Sequence, residues 1–461
     1  MKVEANTPAA YELIHKGALA LARAERAGIR IDIPYCQQQK KVLTKQVTEL
    51  TKQVTESKFY HRWRHIYGDK TNIDSNNQLS HILYKVMKIE APKQTESGQG
   101  STDEDTLSQI DIPELKIILE IRKLKKLRDT YLDAFERENY EGYIHPFFNL
   151  HTVKTFRSSS DSPNFQNIPK RDKEAMTICR RALYPRPGHQ LIEADFSGLE
   201  VSISTCYHRD PVMLAYLNNK KSDMHLDMAK QIFIYEVLNK AIPSNYRMRQ
   251  ASKNGFVFPQ FYGDWYRNNA VGICEWVQLP QGKWKKGMGM EMEDGSHIAD
   301  HFISVGIKCF DDFVEHLKGV EDDFWNNRFK VYKQWKDAWV AKYQAKGSFA
   351  MFTGFTCSGV MRRNEVINYP VQGAASHCKL WSLIELDRIM LAEKWDTYIL
   401  GEIHDSILFD VLPEELDHVK DTILRVTCKD LPAAWKWITV PLNVEIDVYD
   451  VDAPWVPRDK E

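Results

Sequence analysis

Leu191-Ile192-Glu193-Ala194-Asp195-Phe196-Ser197-Gly198-Leu199-Glu200 is an apolar run that ends on a carboxylate and turns, through Ser197-Gly198, toward a helix. Ile399-Leu400-Gly401-Glu402-Ile403-His404-Asp405-Ser406-Ile407-Leu408-Phe409 has a related character, a β-hairpin whose turn holds His404 and Asp405. Between them, Arg249-Gln250-Ala251-Ser252-Lys253 places two cations one helical turn apart and runs on to Phe261-Tyr262-Gly263. One aspartate at a strand end is ordinary, since turns and helix caps favour it. Two on apolar strands, with a cationic helix between, form a pattern.

An apolar strand is a rigid base for a carboxylate, and rigid oxygen ligands suit magnesium. Two such ions about 3.5–4 Å apart both activate an attacking hydroxyl and neutralise a triphosphate. Asp195 and Asp405 are therefore the candidate metal ligands and catalytic carboxylates. Arg249 and Lys253 suit the β- and γ-phosphates, with Lys253 beside the leaving pyrophosphate. Phe256, Phe258, Phe261 and Tyr262 continue the helix, and a solvated face has no need of such aromatics. A helix closing over a nascent base pair does. Arg157-Ser-Ser-Ser-Asp-Ser-Pro-Asn-Phe-Gln-Asn-Ile-Pro is an amide-rich loop. Its Arg157, Gln166 and Asn167 can meet the degenerate acceptors of the minor groove. These segments read as a nucleotide polymerase.

The chain has 461 residues, enough for about two to four domains. A net charge of −1 gives no overall nucleic-acid signature, so such binding must come from local patches. The clearest is Lys116, Arg122, Lys123, Lys125, Lys126 and Arg128 on one predicted helix, expected to follow a duplex backbone. The eight cysteines are scattered without metal-ligand spacing, which argues against a structural zinc site or disulfide scaffold and for a reducing cytoplasm. The amino terminus lacks a signal-peptide core, and no uncharged apolar run approaches the roughly 20 residues that span a bilayer. The expectation is a soluble, cytoplasmic chain with no membrane partner.

The periodicity predicts a helix over 8–27 ended by Gly28, a short strand over 29–33 and a long helix from Pro34. A polar loop spans 92–103 and a helix 105–136. Residues 143–150 are strand-like, 157–171 an extended loop, 191–195 a strand, and 210–260 mostly helical. The stretch 264–310 is irregular. Helices return over 321–346 and 369–394, with hairpins over 349–361 and 398–411. The class is α+β.

The segments together resemble the polymerase domain of family A DNA polymerases, the family of bacterial DNA polymerase I and many bacteriophage replicases. Asp195-Phe-Ser-Gly-Leu-Glu200 is similar to the family's first carboxylate motif, and His404-Asp405-Ser406 to its second. Arg249-x3-Lys253 with Tyr262-Gly263 resembles the fingers-helix motif. Thr155-Phe-Arg-Ser-Ser-Ser and Asn164-Phe-Gln-Asn-Ile-Pro resemble the minor-groove segment, Asn368-Tyr-Pro-Val-Gln372-Gly-Ala-Ala the helix contacting template and primer, and Asp223-Met-His225 the place of a phosphate-binding histidine. Residues 20–32, Asn77-Gln78-Leu79 and Ser101-Thr102-Asp103-Glu104 resemble the thumb region.

The resemblance implies a right-hand fold with an antiparallel-sheet palm and helical thumb and fingers. Thumb would be 1–145, palm 146–208 and 349–461, and fingers 209–348 with an unassigned insertion at about 264–320. It implies Asp195, Asp405 and the Phe196 carbonyl as ligands of two Mg2+ ions, for which Mn2+ may substitute. Arg249, Lys253, His225, Phe258, Tyr262 and Glu200 would meet the nucleotide. Arg157, Gln166, Asn167, Asn368, Gln372, His404, Lys123 and Lys126 would meet primer–template DNA. Between Lys253 and Tyr262 stands one residue more than the family usual, so the sugar-sensing position falls on Phe258 or Val257. Phe258 is preferred because only it offers a ring. Ser406 replaces the Glu of some members. The wording of 253–263 is closer to phage enzymes, pointing to a replicative role in a host cytoplasm. No room remains for an exonuclease domain, so proofreading is a separate protein's, or absent, or the chain is a fragment; a processivity protein would also be separate. The rival reading is a single-subunit RNA polymerase, against which Glu200 stands where a ribose 2′-hydroxyl would lie.

Overall fold

The computed structural model describes residues 1–457 apart from positions 93, 96, 171, 220 and 404. A four-stranded antiparallel sheet lies at its centre, ordered Tyr398–Ile403, Ser406–Val411, Gln190–Phe196, Val444–Val448. Gln190–Phe196 is an inner strand, and along it only Asp195 escapes full burial. Its apolar content follows from being covered on both faces. Helix Pro8–Ala27 packs on the outer strand Tyr398–Ile403 and on the long helix Arg363–Glu393.

Helix Ile33–Thr55 packs along Pro113–Lys125. The single helix expected over 105–136 is instead a short turn, Glu104–Leu107, followed by a rod from Pro113 to Arg137. Pro113 explains the break: lacking an N–H, it is tolerated in the first turn and starts the rod. Among the described residues the hairpin Ser348–Ala350 with Thr356–Ser358 gains a third strand, Lys2–Glu4, which the sequence reading did not mark.

Most of the chain shares one large apolar core, but residues 213–332 build a second, around Met228, Phe256, Phe302, Phe313 and Phe324. The stretch left irregular in the sequence holds helices Tyr266–Trp276 and Ile298–Ser304, and Phe310–Asp323 follows. Ala270, Ile273, Cys274 and Val277 are buried at helical spacing. The Gly-, Trp- and Met-rich loop after them masks that period. All eight cysteines are free, and no described helix is long and apolar enough to cross a membrane.

Candidate active site

Antiparallel pairing brings Asp195 and Asp405 to the same end of neighbouring strands. Ser406 stands opposite Asp195, and the Phe196 N–H donates to the Asp405 carbonyl at 3.2 Å. Burial pushes the Asp195 carboxyl above its ordinary value, opposed by Lys170, whose Nζ lies 3.1 Å from Oδ2. Lys170 is also 3.5 Å from Glu193 Oε1. Burial works against its charge, but Glu193 and Asp195 outweigh it and hold the ammonium above its usual pKa. Ser406 Oγ donates to Glu193 at 3.0 Å, so the serine anchors a buried carboxylate rather than supplying one.

On the other side of the strand, Glu445 stands opposite Asp195 and accepts from Ser197 Oγ at 3.0 Å. Neither Lys170 nor Glu445 was read from the sequence; the alternation of 444–448 was the only signal for the second. Among the described residues no group of three His, Cys, Asp or Glu side chains is gathered to hold a metal alone. Two carboxylates completed by water and phosphate oxygens are nonetheless a usual magnesium set, and the ammonium on Asp195 shows that a cation fits there.

Facing this end of the sheet, helix Pro243–Ser252 continues through a π-turn at Lys253–Val257 into Phe258–Tyr262. A π-turn accommodates an inserted residue in a helix, which accounts for the extra one in this motif. Val257 is fully buried in the second core, while Phe258 lines the cleft. Lys253 Nζ lies 5.3 Å from the Phe258 ring centroid, and His225 meets the ring edge-on at 5.6 Å. Arg249 Nε donates to Asp223 Oδ2 at 2.7 Å, and Asp223 caps helix Met224–Phe233.

Burial holds Lys253 below its ordinary pKa, with Arg249 adding to the effect. Burial, then Arg249 and Lys253, lower His225 to about 4, so its imidazole is neutral near pH 7. Its buried Nδ1 has no hydrogen-bond partner among the described residues. Two cations, an orphan ring nitrogen and a helix N-terminus together suit an anion.

Glu200 closes the cleft floor. Arg157 Nη2 lies 2.7 Å from one of its oxygens and the Tyr262 hydroxyl donates to the other. Burial, with Glu200 beside it, raises the Tyr262 phenol far above its usual pKa and keeps it a donor. Between Glu200, Phe258, Tyr262, Asn368 and Asp405 lies a cleft of about 180 Å³. Asn368 Nδ2 donates to the Tyr262 carbonyl at 3.3 Å. Gly263 has φ +90°, and a Cβ there would sit 2.5 Å from Asn364 Oδ1, which is why Gly follows Tyr262.

The residues expected on DNA are less uniform. Gln166 donates to Ser158 Oγ at 2.9 Å, while Asn167 is exposed and its carbonyl accepts from the Tyr131 hydroxyl at 2.7 Å. Gln372 is half-buried on helix Arg363–Glu393. His404 lies outside the described residues. Arg157 is turned to Glu200 rather than left free. The basic run needs correction as a free cationic track: Lys123 is held by Asp172 at 2.8 Å and Glu174 at 2.9 Å, Lys125 by Asp74 at 2.6 Å, and Arg128 by Asp129 at 2.6 Å. Arg122 donates to the Thr102 carbonyl. Lys116 and Lys126 are exposed and have no ion pair among the described residues.

A family model described as DNA polymerase family A matches residues 34–268, half of the chain. The chain belongs to DNA polymerase family A. It is 28% identical to DNA polymerase I of Aquifex aeolicus over 81% of its own length and 56% of that protein's. It is 25% identical to DNA polymerase I of Synechocystis over 92% and 40%. It thus spans about half, or less, of these curated relatives. The POL domain of Pol1 from M. smegmatis, solved with DNA primer-template and dNTP, superposes with a TM-score of 0.73 at 22% identity, covering 96% of this chain and 70% of that one. The architecture is accordingly the family's right-hand fold. The relatives named are bacterial, and the bacteriophage character expected from the sequence is not among what they show.

Proposed function

We propose that the chain is a template-directed DNA polymerase that adds dNTPs to a primer 3′ end and releases pyrophosphate. The observation that carries this is one end of the sheet, where Asp195 near the end of its strand stands beside Asp405 in the adjoining turn, Asp405 lines a cleft with Glu200 and Phe258, and Lys253 lies against the Phe258 ring. Family membership and the M. smegmatis domain's primer–template and dNTP support the reading.

In it, Asp195 and Asp405, with the Phe196 carbonyl, hold two Mg2+ or Mn2+ ions. These supply activation of the primer hydroxyl and neutralisation of the triphosphate. Arg249 and Lys253 bind the outer phosphates, and Lys253 steadies the leaving pyrophosphate. Neutral His225 offers one N–H to a phosphate oxygen. Glu200, fixed by Arg157 and Tyr262, walls off the 2′ side of the sugar with Phe258 behind it. Residues 1–145 act as thumb, 209–348 as fingers and the remainder as palm. A phage replicative role rests on the wording of 253–263 alone.

Primer extension with dNTPs, NTPs and Mg2+ tests the reading. The wild-type chain extends with dNTPs, Asp405→Asn loses at least ~10³-fold in rate while still binding DNA, and Glu200→Ala gains ribonucleotide use. Near-normal extension by Asp405→Asn would sink the assignment; preferential NTP use by the wild type would make the chain an RNA polymerase.

A further inference from the structure

Lys170 stands on Asp195 in a way that no structural need explains. Glu193, the other carboxylate it approaches, is already provided for: Arg180 Nη1 at 3.2 Å, Ser406 Oγ at 3.0 Å, and Tyr449 and Trp455 at 3.3 Å each. The shorter contact, 3.1 Å, is to Asp195 Oδ2. Both side chains there are partly open to solvent, 46% for Lys170 and 38% for Asp195. The contact is therefore a partly exposed cation on a flexible stem, held against a carboxylate proposed to bind metal. An ammonium and a divalent ion cannot share that oxygen without like-charge repulsion at contact range.

We propose that Lys170 is a tethered counter-ion of the Asp195 site. It neutralises the carboxylate before metal arrives, must swing aside as metal binds, and so sets how much divalent ion the chain requires. This rests on the polymerase reading of Asp195 and Asp405. Lys170 is a positioning residue here and takes no part in bond making.

Mn2+ alone, without DNA or nucleotide, is the probe, with free ion read by electron paramagnetic resonance on the full chain. Lys170→Met, and Lys170→Gln as a second variant should the first fold poorly, should bind Mn2+ about three- to tenfold more tightly than wild type. That is the span for a single and a double positive charge roughly 6–12 Å apart in water, the ammonium having swung aside. Lys170→Arg should stay near wild type. Asp195→Asn should abolish the tighter binding. If Asp195→Asn removes Mn2+ binding but Lys170→Met and Lys170→Gln, both folded by circular dichroism, bind no more tightly than wild type, the counter-ion role is overturned and the polymerase reading stands. If Asp195→Asn binds Mn2+ like wild type, the metal assignment falls and the role of Lys170 with it.

Discussion

Two helical segments of this molecule, 243–262 and 113–137, carry cations at helical spacing, and the surroundings treat them in opposite ways. On the second, Lys123, Lys125 and Arg128 each have a carboxylate within 3 Å, from Asp172, Asp74 and Asp129. On the first, Arg249 has Asp223, but Lys253 lies over the ring of Phe258 with no carboxylate in contact among the described residues and is held below its ordinary pKa by burial. These three cations of the rod are neutralised within the fold, which leaves Lys116 and Lys126 exposed. The other segment keeps an unbalanced cation at the cleft, where an anion would relieve it. A count of basic residues cannot separate these cases; the partner census can.

The contrast is exposed most strongly by Lys253→Ala beside Lys123→Ala. The first should lower the single-turnover extension rate by at least about 10²-fold, because its charge acts on the leaving group. The second should change that rate by less than about twofold. Equal losses would mean that the unpaired state of Lys253 carries no function.

The π-turn gives the next largest effect. If Phe258 faces the sugar as proposed, Phe258→Tyr puts a hydroxyl where a dideoxynucleotide lacks its 3′-oxygen and should improve terminator use at least about tenfold relative to dNTPs. Val257→Tyr should instead destabilise the second core, since Val257 has no exposed surface. The reverse outcome would shift the register of the helix by one residue.

Salt dependence probes the 113–137 rod. Lys126→Ala should reduce the slope of log K against log salt by about 0.9 if it meets one phosphate. Lys125→Ala, already paired with Asp74, should leave the slope unchanged. A full unit lost at Lys125 would show that DNA breaks the ion pair.

Smallest is the effect of pH on His225. Its folded pKa, lowered to about 4 from 6.5, means that protons bind the unfolded chain more readily between these values. Stability conferred by the neutral ring is therefore present above about 6.5 and lost as pH falls toward 4. Nucleotide affinity should show no His225 titration between about pH 6 and 8, and His225→Gln should leave the pH profile there unaltered. A wild-type profile with a His-like inflection near neutrality, absent from the variant, would contradict a neutral His225.

The strand that carries Asp195 and the hairpin whose turn holds Asp405 were legible because short continuous apolar runs and a turn are local properties. Arg249, Lys253 and Tyr262 were legible because helical spacing is local too. Lys170 and Glu445 were not, since only the tertiary path of 165–170 and the pairing of 444–448 bring them to Asp195. The carboxylates that occupy Lys123 and Lys125 likewise come from distant positions, 172, 174 and 74. The helix Tyr266–Trp276 escaped for a different reason: its period was short and bordered by residues that favour no regular structure.

That helix meets the π-turn at its least padded point. Gly272 lies so near Gly255 that a Cβ built on it would be 3.7 Å from the Gly255 Cα, and one on Gly255 would be 2.9 Å from Ile273. Two backbones in such contact behave as one machined joint. The helix Tyr266–Trp276 is thereby seated directly on the turn that begins at Lys253. The seam has room for a methyl group on the Gly272 side and none on the Gly255 side, so the lock between helix and turn is one-sided.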